Sequence, residues 1–303
     1  MNNCPLFSGI FPALVSPVTS EGSVMESELR ALVRYFAESR VQGLYVCGGT
    51  GEGILLPVST RKRILEVVID EVKRHPEHQL QVLAHIGAAE AVNTRELVLH
   101  AESIGVDAIS TIPPIYFSYS RDRICEYFAW VSGLSKLPVI IYASAQAGVP
   151  FTADMLTELC AYPTIRGIKF TGYNFFELMR MRDVVPNDFS ILNGGDEVLL
   201  FGFLAGANGG VGATYNVMPN LFCQVYEAWN VQDIPLAREL QRQINMIIGI
   251  IIQYPVIGAI KVMLQAQGLS SGETVFPNES LDENKKNRLL KQLEEANWRE
   301  VCK

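Results

Sequence analysis

Ile165-Arg166-Gly167-Ile168-Lys169-Phe170-Thr171 has the length and branching of a buried strand, and it carries one lysine close to its end. An ammonium group is costly to bury, so a lysine in such a run needs a reason. Desolvation favours the neutral amine, which is a nucleophile toward ketones. A lysine snorkelling from the strand end, or paired with a carboxylate, would leave the same local pattern. Period-two alternation sets Gly167 and Lys169 on one face and Ile168 and Phe170 on the other. What the lysine faces depends on the strands to either side.

Outward from this run, short β-branched segments alternate with helical patterns. Strands are predicted at 9–15, 43–47, 82–86, 108–112, 139–142, 165–170, 190–193 and 210–214. Leu29, Leu32, Val33 and Phe36 keep the i, i+3, i+4, i+7 period between two of them, as do Ile124, Tyr127, Phe128 and Val131. Asn93 with Glu96 reads as a capping box, and Thr152 as an N-cap. Eight strand–helix repeats predict a (β/α)8 TIM barrel over residues 1–232, with a C-terminal helical extension over 233–303 packed on it in the same domain. An open doubly wound sheet satisfies the same alternation. In the barrel, Lys169 lies near the C-terminal end of strand six, where βα loops build active sites. With Ile168 and Phe170 against the helices, it points into the barrel.

The 303 residues carry a net charge of −7 and show no basic cluster, which argues against a nucleic-acid surface. Cys4, Cys47, Cys125, Cys160, Cys223 and Cys302 are scattered without a CxxC pair, as expected of reduced thiols in the cytoplasm. Met-Asn-Asn-Cys-Pro has no signal-peptide character. The apolar run 244–264 contains Asn245, Gln253, Pro255 and Lys261, which predict two shorter helices rather than a membrane span.

Several polar residues fall at predicted strand ends. Gly48-Gly49-Thr50-Gly51-Glu52-Gly53 follows strand two, and such turns present N–H groups to carboxylates or phosphates. It matches neither GxGxxG nor a Walker loop. Tyr116 is read as ending strand four and Tyr142 strand five, at the same rim as Lys169. Phenols there suit proton relay, although buried tyrosines are commonly core residues. Asn193-Gly194-Gly195-Asp196-Glu197 ends strand seven. Its carboxylates suit sugar hydroxyls, or the first turn of a helix. His75, His78, His85 and His100 show no HExxH spacing, and no GxSxG elbow is present. His85 is expected to be a hydrogen-bonded core histidine.

Together, Gly49-Thr50-Gly51-Glu52, Tyr116, Tyr142, Gly167-Ile168-Lys169, the 193–197 segment and the run from Gly206 to Asn216 resemble the N-acetylneuraminate lyase/dihydrodipicolinate synthase family of class I pyruvate aldolases. The resemblance covers nearly the whole chain. It implies that Lys169 forms an imine with pyruvate or a 2-oxo sugar acid, with no other cofactor and no metal. Tyr142 would shuttle the proton, and Thr50 with the Gly49 backbone would hold the carboxylate. Tyr116 would complete the relay across a subunit contact, which implies a homotetramer built as a dimer of dimers. Thr171, Gly194 and Val211 match substrate-contacting positions.

Asp196-Glu197, Thr214-Tyr215-Asn216 and Ala84-His85-Ile86-Gly87 resemble the lyase branch, where the acidic pair binds sialic-acid hydroxyls. The synthases place an arginine soon after the strand-five tyrosine, and none stands in Ala143-Ser144-Ala145-Gln146-Ala147-Gly148. That loop also lacks the lyases' Tyr-Asn-x-Pro pattern, Gly49 stands where a Ser or Thr is usual, and Ala213 where a serine is. The expected reaction is cleavage of N-acetylneuraminate to pyruvate and N-acetylmannosamine. The alternatives are a 2-dehydro-3-deoxy-gluconate-type aldolase, a dihydrodipicolinate synthase-like condensing enzyme and a non-catalytic barrel that binds 2-oxo acids.

Overall fold

The structure is a computed structural model that describes residues 4–144 and 150–301. Eight parallel strands form the sheet: β1 (Gly9–Pro12), β2 (Gly43–Val46), β3 (Gln81–His85), β4 (Ala108–Thr111), β5 (Val139–Ser144), β6 (Ile165–Thr171), β7 (Ser190–Asn193) and β8 (Gly209–Gly212). Their order is β1-β8-β7-β6-β5-β4-β3-β2. Bonds from Gln42 N to Ile10 O (3.0 Å) and Leu14 N to Tyr45 O (2.9 Å) join β1 to β2 and close the barrel. This excludes the open doubly wound sheet.

Helices α1 (Glu26–Ala37), α2 (Val58–Arg74), α3 (Ala91–Ile104), α4 (Arg121–Ser132), α5 (Ala153–Leu159), α6 (Phe175–Val184), α7 (Leu199–Leu204) and α8 (Pro219–Asn230) follow the strands in turn. The periodic residues do what their spacing requires: Leu29, Leu32, Val33 and Phe36 are fully buried beneath α1. Thr152 caps α5 by accepting from Met155 N at 3.4 Å. The capping box at Asn93 is not formed. Helix α3 begins at Ala91 after Glu90, so Asn93 lies inside it and donates to the Glu90 carboxylate at 2.9 Å. Glu96 instead pairs with Lys62.

After α8 come α9 (Ile234–Ile251), α10 (Val256–Ala266), α11 (Glu283–Glu295) and α12 (Trp298–Val301). The break in the apolar run falls at 252–255, where the chain bends by 110° before α10. Pro255 explains it, because proline has no N–H to continue the helical ladder. Asn245 and Lys261 do not break anything; each lies inside a helix. Among the described residues no single helix is long and apolar enough to cross a membrane.

The strands separate two cores. Ile168 and Phe170 pack outward among the helices, while Phe11, Tyr45, Leu83, Ile140, Leu192 and Val211 fill the barrel interior. Phe7 closes the N-terminal end, its N–H donating to Ser190 Oγ at 2.9 Å. A filled lower barrel leaves the C-terminal rim as the place for polar chemistry.

Candidate active site

Lys169 follows Gly167 on the inward face of β6 and is 5% exposed. Its Nζ sits 4.1 Å from the Tyr142 ring centroid and 4.6 Å from that of Tyr45. Contacts of this kind contribute about 0.5–2 kcal/mol each for an ammonium group, so the two rings determine where the side chain points. Tyr142 and Lys169 are register partners across β5 and β6. The register slips by one residue between Val139 and Ile140; without that slip Tyr142 would pair with Ile168.

Tyr45 is fully buried and donates to Ser110 Oγ at 2.9 Å. Burial, followed by the neighbouring Tyr142, pushes its hydroxyl well above the usual phenol range, so it stays protonated. Nothing in the pattern Gly43–Val46 distinguished Tyr45 from a core aromatic.

Two cavities meet at Tyr142 and Ser144. One, of about 240 Å³, is lined by Gly48, Gly49, Ile54, His85, Ile112 and Ile115. The other, of about 440 Å³, is lined by Thr171, Gly194, Asp196, Glu197, Ala213 and Thr214, with Ile248, Ile252 and Val256 as its apolar wall. Gly49 therefore faces the first cavity, whereas Thr50 is half-buried on the same loop and lines neither. Val211 is buried within the barrel in the cluster against which Tyr142 packs.

Tyr116 does not end strand four. Strand β4 ends at Thr111, and Tyr116 lies beyond it with a φ of 80° and 93% of its surface exposed. Its ring packs edge-on against Phe117 at 4.9 Å, outside both cavities. A bulky residue in the left-handed region is strained, and within one chain the ring is left exposed.

The acidic pair occupies a turn, Asp196–Val198, ahead of α7. Asp196 is buried and accepts from both Thr214 N and Thr214 Oγ1 at 2.7 Å. Burial pushes its carboxyl up to about 6; the Thr214 hydrogen bonds and Lys169 oppose that rise, and Glu197 adds to it. Glu197 accepts from the Tyr173 hydroxyl. Helix α9 holds the turn from behind: Gln241 donates to Asp196 O at 3.1 Å and Asn245 to Glu197 O at 3.0 Å. A Cβ at Gly194 would stand 1.9 Å from Thr171 Oγ1, so a side chain there has to displace Thr171.

Glu52 anchors the glycine loop. It adopts the left-handed conformation (φ 54°) and is buried, with Oε1 accepting from Val275 N at 2.8 Å and Asn278 Nδ2 at 2.9 Å. Its Oε2 lies 3.1 Å from Lys261 Nζ of α10, and Lys261 also donates to the carbonyls of Ser16 and Glu273. Burial depresses Lys261 more than Glu52 restores it. The sequence signals missed here were the polar residues Gln241, Asn245 and Lys261 inside apolar helices. The loop following Ser144, with Ala145 to Gly148, lies outside the described residues.

A buried lysine on strand six of a closed barrel, under a tyrosine from strand five, agrees with the match of residues 6–296 to the model of the dihydrodipicolinate synthetase family. The chain belongs to that family. Within it, the chain is 34% identical over 275 residues to an N-acetylneuraminate lyase of Rhizobium meliloti strain 1021, covering 91% of this chain and 90% of that one. Among solved structures it resembles CdNal from Clostridium difficile in complex with mannosamine (31% identity, TM-score 0.90, covering 96% and 99% of the two chains). It also resembles YagE, a prophage protein of the dihydrodipicolinic acid synthase family from E. coli K12, in complex with pyruvate (28% identity, TM-score 0.89, covering 96% and 99%). As a member of the dihydrodipicolinate synthetase family, this chain is an aldolase-type lyase.

Proposed function

We propose that the chain is an imine-forming aldolase that reversibly cleaves a 2-oxo-3-deoxy sugar acid, N-acetylneuraminate or a close relative, to pyruvate and N-acetylmannosamine. The observation that carries this reading is Lys169 Nζ, buried in the barrel 4.1 Å from the ring of Tyr142, a residue that lines both cavities. The Lys169 amine adds to the C2 ketone and water leaves, giving an iminium that withdraws electrons from C3. Tyr142 gives its hydroxyl proton to the departing water, and its phenolate then takes the C4 hydroxyl proton as the C3–C4 bond breaks and returns it to C3 of the enamine. Water adds at C2, pyruvate leaves and the amine is restored. No external cofactor enters these steps.

The cavity chemistry supports a substrate with two dissimilar ends. Asp196, Glu197 and Thr171 offer hydroxyl partners, while Ile248, Ile252 and Val256 suit an acyl methyl group. Thr171 Oγ1 is buried without a hydrogen-bond partner, as befits a group that meets substrate. Ala213 in the same wall favours a second reading, a sugar acid with a shorter tail such as 2-dehydro-3-deoxy-gluconate.

The exposed Tyr116–Phe117 pair, and a second exposed group of Tyr173, Phe176 and Phe201, support a homotetramer in which Tyr116 reaches a neighbouring subunit. We assign the enzyme to the cytoplasm, in keeping with free thiols at Cys4, Cys47, Cys125, Cys160 and Cys223.

Borohydride reduction in the presence of pyruvate tests the imine. Intact mass should show one pyruvyl adduct on the wild type and none on Lys169→Ala. An unchanged adduct on the variant overturns the assignment. Pyruvate release from a panel of sugar acids then identifies the substrate.

A further inference from the structure

His75, Glu77 and His78 follow the C-terminal end of α2, on the short connection into β3. This is the end of the barrel opposite the rim that holds Lys169, so the group takes no part in the chemistry described above. Pro76–His78 forms a single 3-10 turn, closed by His78 N donating to His75 O at 3.2 Å. Side chains three apart eclipse one another in such a turn, which brings the two imidazoles to one side with ring centroids 6.2 Å apart. Glu77 Oε1 lies 3.5 Å from His75 Nδ1 and 3.4 Å from His78 Nε2, and the three ligating atoms fall within 4.8 Å of one another. Among the described residues no other three His, Cys, Asp or Glu side chains converge in this way. The far nitrogen of His75, Nε2, is 3.5 Å from Glu71 Oε1. Glu71 is buried and is held by Arg30 at 2.8 Å and Arg34 at 2.7 Å.

A neutral imidazole that gives its Nε2–H to Glu71 turns the lone pair of Nδ1 toward the Glu77 carboxylate. His78 sets Nε2 against the same oxygen. Two ring nitrogens facing one carboxylate oxygen call for positive charge between them, which one divalent ion supplies to both. Ligands bound to zinc at about 2.0–2.1 Å in tetrahedral geometry stand about 3.3–3.4 Å apart, close to the two nitrogen–oxygen separations. The carboxylate behind His75 is the kind of partner that metal-bound histidines have, because it fixes the tautomer and the ring plane. The side chains of His75, Glu77 and His78 are 32%, 60% and 34% exposed, which leaves a path for the ion and a place for water. We infer that His75 Nδ1, Glu77 Oε1 and His78 Nε2 bind a divalent transition-metal ion of the zinc class, with water as the fourth ligand. Two imidazoles and a carboxylate suit zinc, nickel or copper rather than magnesium or calcium. Bound there, the ion ties the end of α2 to the approach to β3.

Calorimetric titration of the untagged protein with zinc chloride at pH 7.5 tests the site. The wild type should bind one ion per chain at this group, and excess magnesium should not displace it. His75→Ala and His78→Ala should each weaken binding about tenfold or more, and Glu71→Gln, which touches no metal, by about tenfold as a lost outer partner. At a zinc concentration about a hundred times the dissociation constant, the thermal midpoint of the wild type should rise by about 4 °C. That rise should disappear in His78→Ala, and in His78→Gln should the alanine variant fold poorly. Absence of zinc binding, affinity unchanged in both histidine variants, or equal displacement by magnesium overturns the inference. None of these readouts depends on turnover, so they stand apart from the choice of substrate.

Discussion

Replacing Asp196 by asparagine removes a buried charge while keeping an oxygen for Thr214 to donate to. The carboxyl is held at about 6 against an ordinary 3.8, chiefly by burial. Between these values the folded chain retains a proton that the unfolded chain has released. The stability Asp196 contributes is thus full below the unfolded value and is lost as pH rises through about 6. Each tenfold change in proton affinity is worth about 1.36 kcal/mol, so the loss is about 3 kcal/mol. With an unfolding entropy of about 2.1 cal/mol/K per residue, that corresponds to about 5 °C in a chain of this length. Thermal midpoints of wild type and Asp196→Asn, measured at one protein concentration from pH 4 to 7.5, should diverge by this amount in favour of the variant as pH rises. A difference that stays flat, or narrows, refutes the burial argument. The ionised carboxylate is also the better acceptor for hydroxyls. KM for N-acetylneuraminate should therefore fall through about pH 6 in the wild type and not in the variant.

Lys261→Met strands the Glu52 carboxylate, so the midpoint should drop by roughly 5–8 °C, the equivalent of about 3–5 kcal/mol. Adding Glu52→Gln should restore most of it, and a double variant no better than the single one removes the pair from the stability account. Gly49→Ser has room for its side chain, and its hydroxyl should lower half-saturation by pyruvate about threefold or more; an unchanged value places the carboxylate elsewhere. Tyr142→Phe should still trap pyruvate on Lys169 but cleave sugar acid about 10²–10⁴ times more slowly. Cleavage at the wild-type rate denies the phenol its relay. Gly194→Ala should raise KM for the sugar acid by displacing Thr171, with pyruvate trapping preserved; an unaffected KM would contradict the 1.9 Å clash.

Much of the barrel was legible because period and composition are local properties. The eight runs of β-branched residues, and stripes such as Leu29-Leu32-Val33-Phe36, report burial on one face wherever the partner lies. Lys169 was legible as a chemical candidate for the same reason: a cation in an apolar strand is anomalous before any neighbour is known. Gly49, Thr171, Gly194, Asp196 and Glu197 do line the two cavities at the rim. The expectations that failed depended on something other than period. Asn93 stands three residues after the Glu90 N-cap, inside α3, and strand β4 ends at Thr111, before Tyr116.

The alternation of the sequence by itself determined that Lys169 would share a face with Gly167, because side chains in a strand alternate without regard to context. Tertiary structure decided what that face meets. A one-residue slip in the β5–β6 register set Tyr142 beside the amine, and β2, 124 residues earlier, supplied Tyr45 on its other side. Closure of β1 onto β2 turned the chosen face inward. His85 in sequence was one more histidine in an apolar strand. Only three-dimensional packing set its ring against Tyr45 and Tyr142 and brought Arg61 to its carbonyl. Hydrogen-bond satisfaction depends on groups brought together from distant parts of the chain, and no local pattern encodes it.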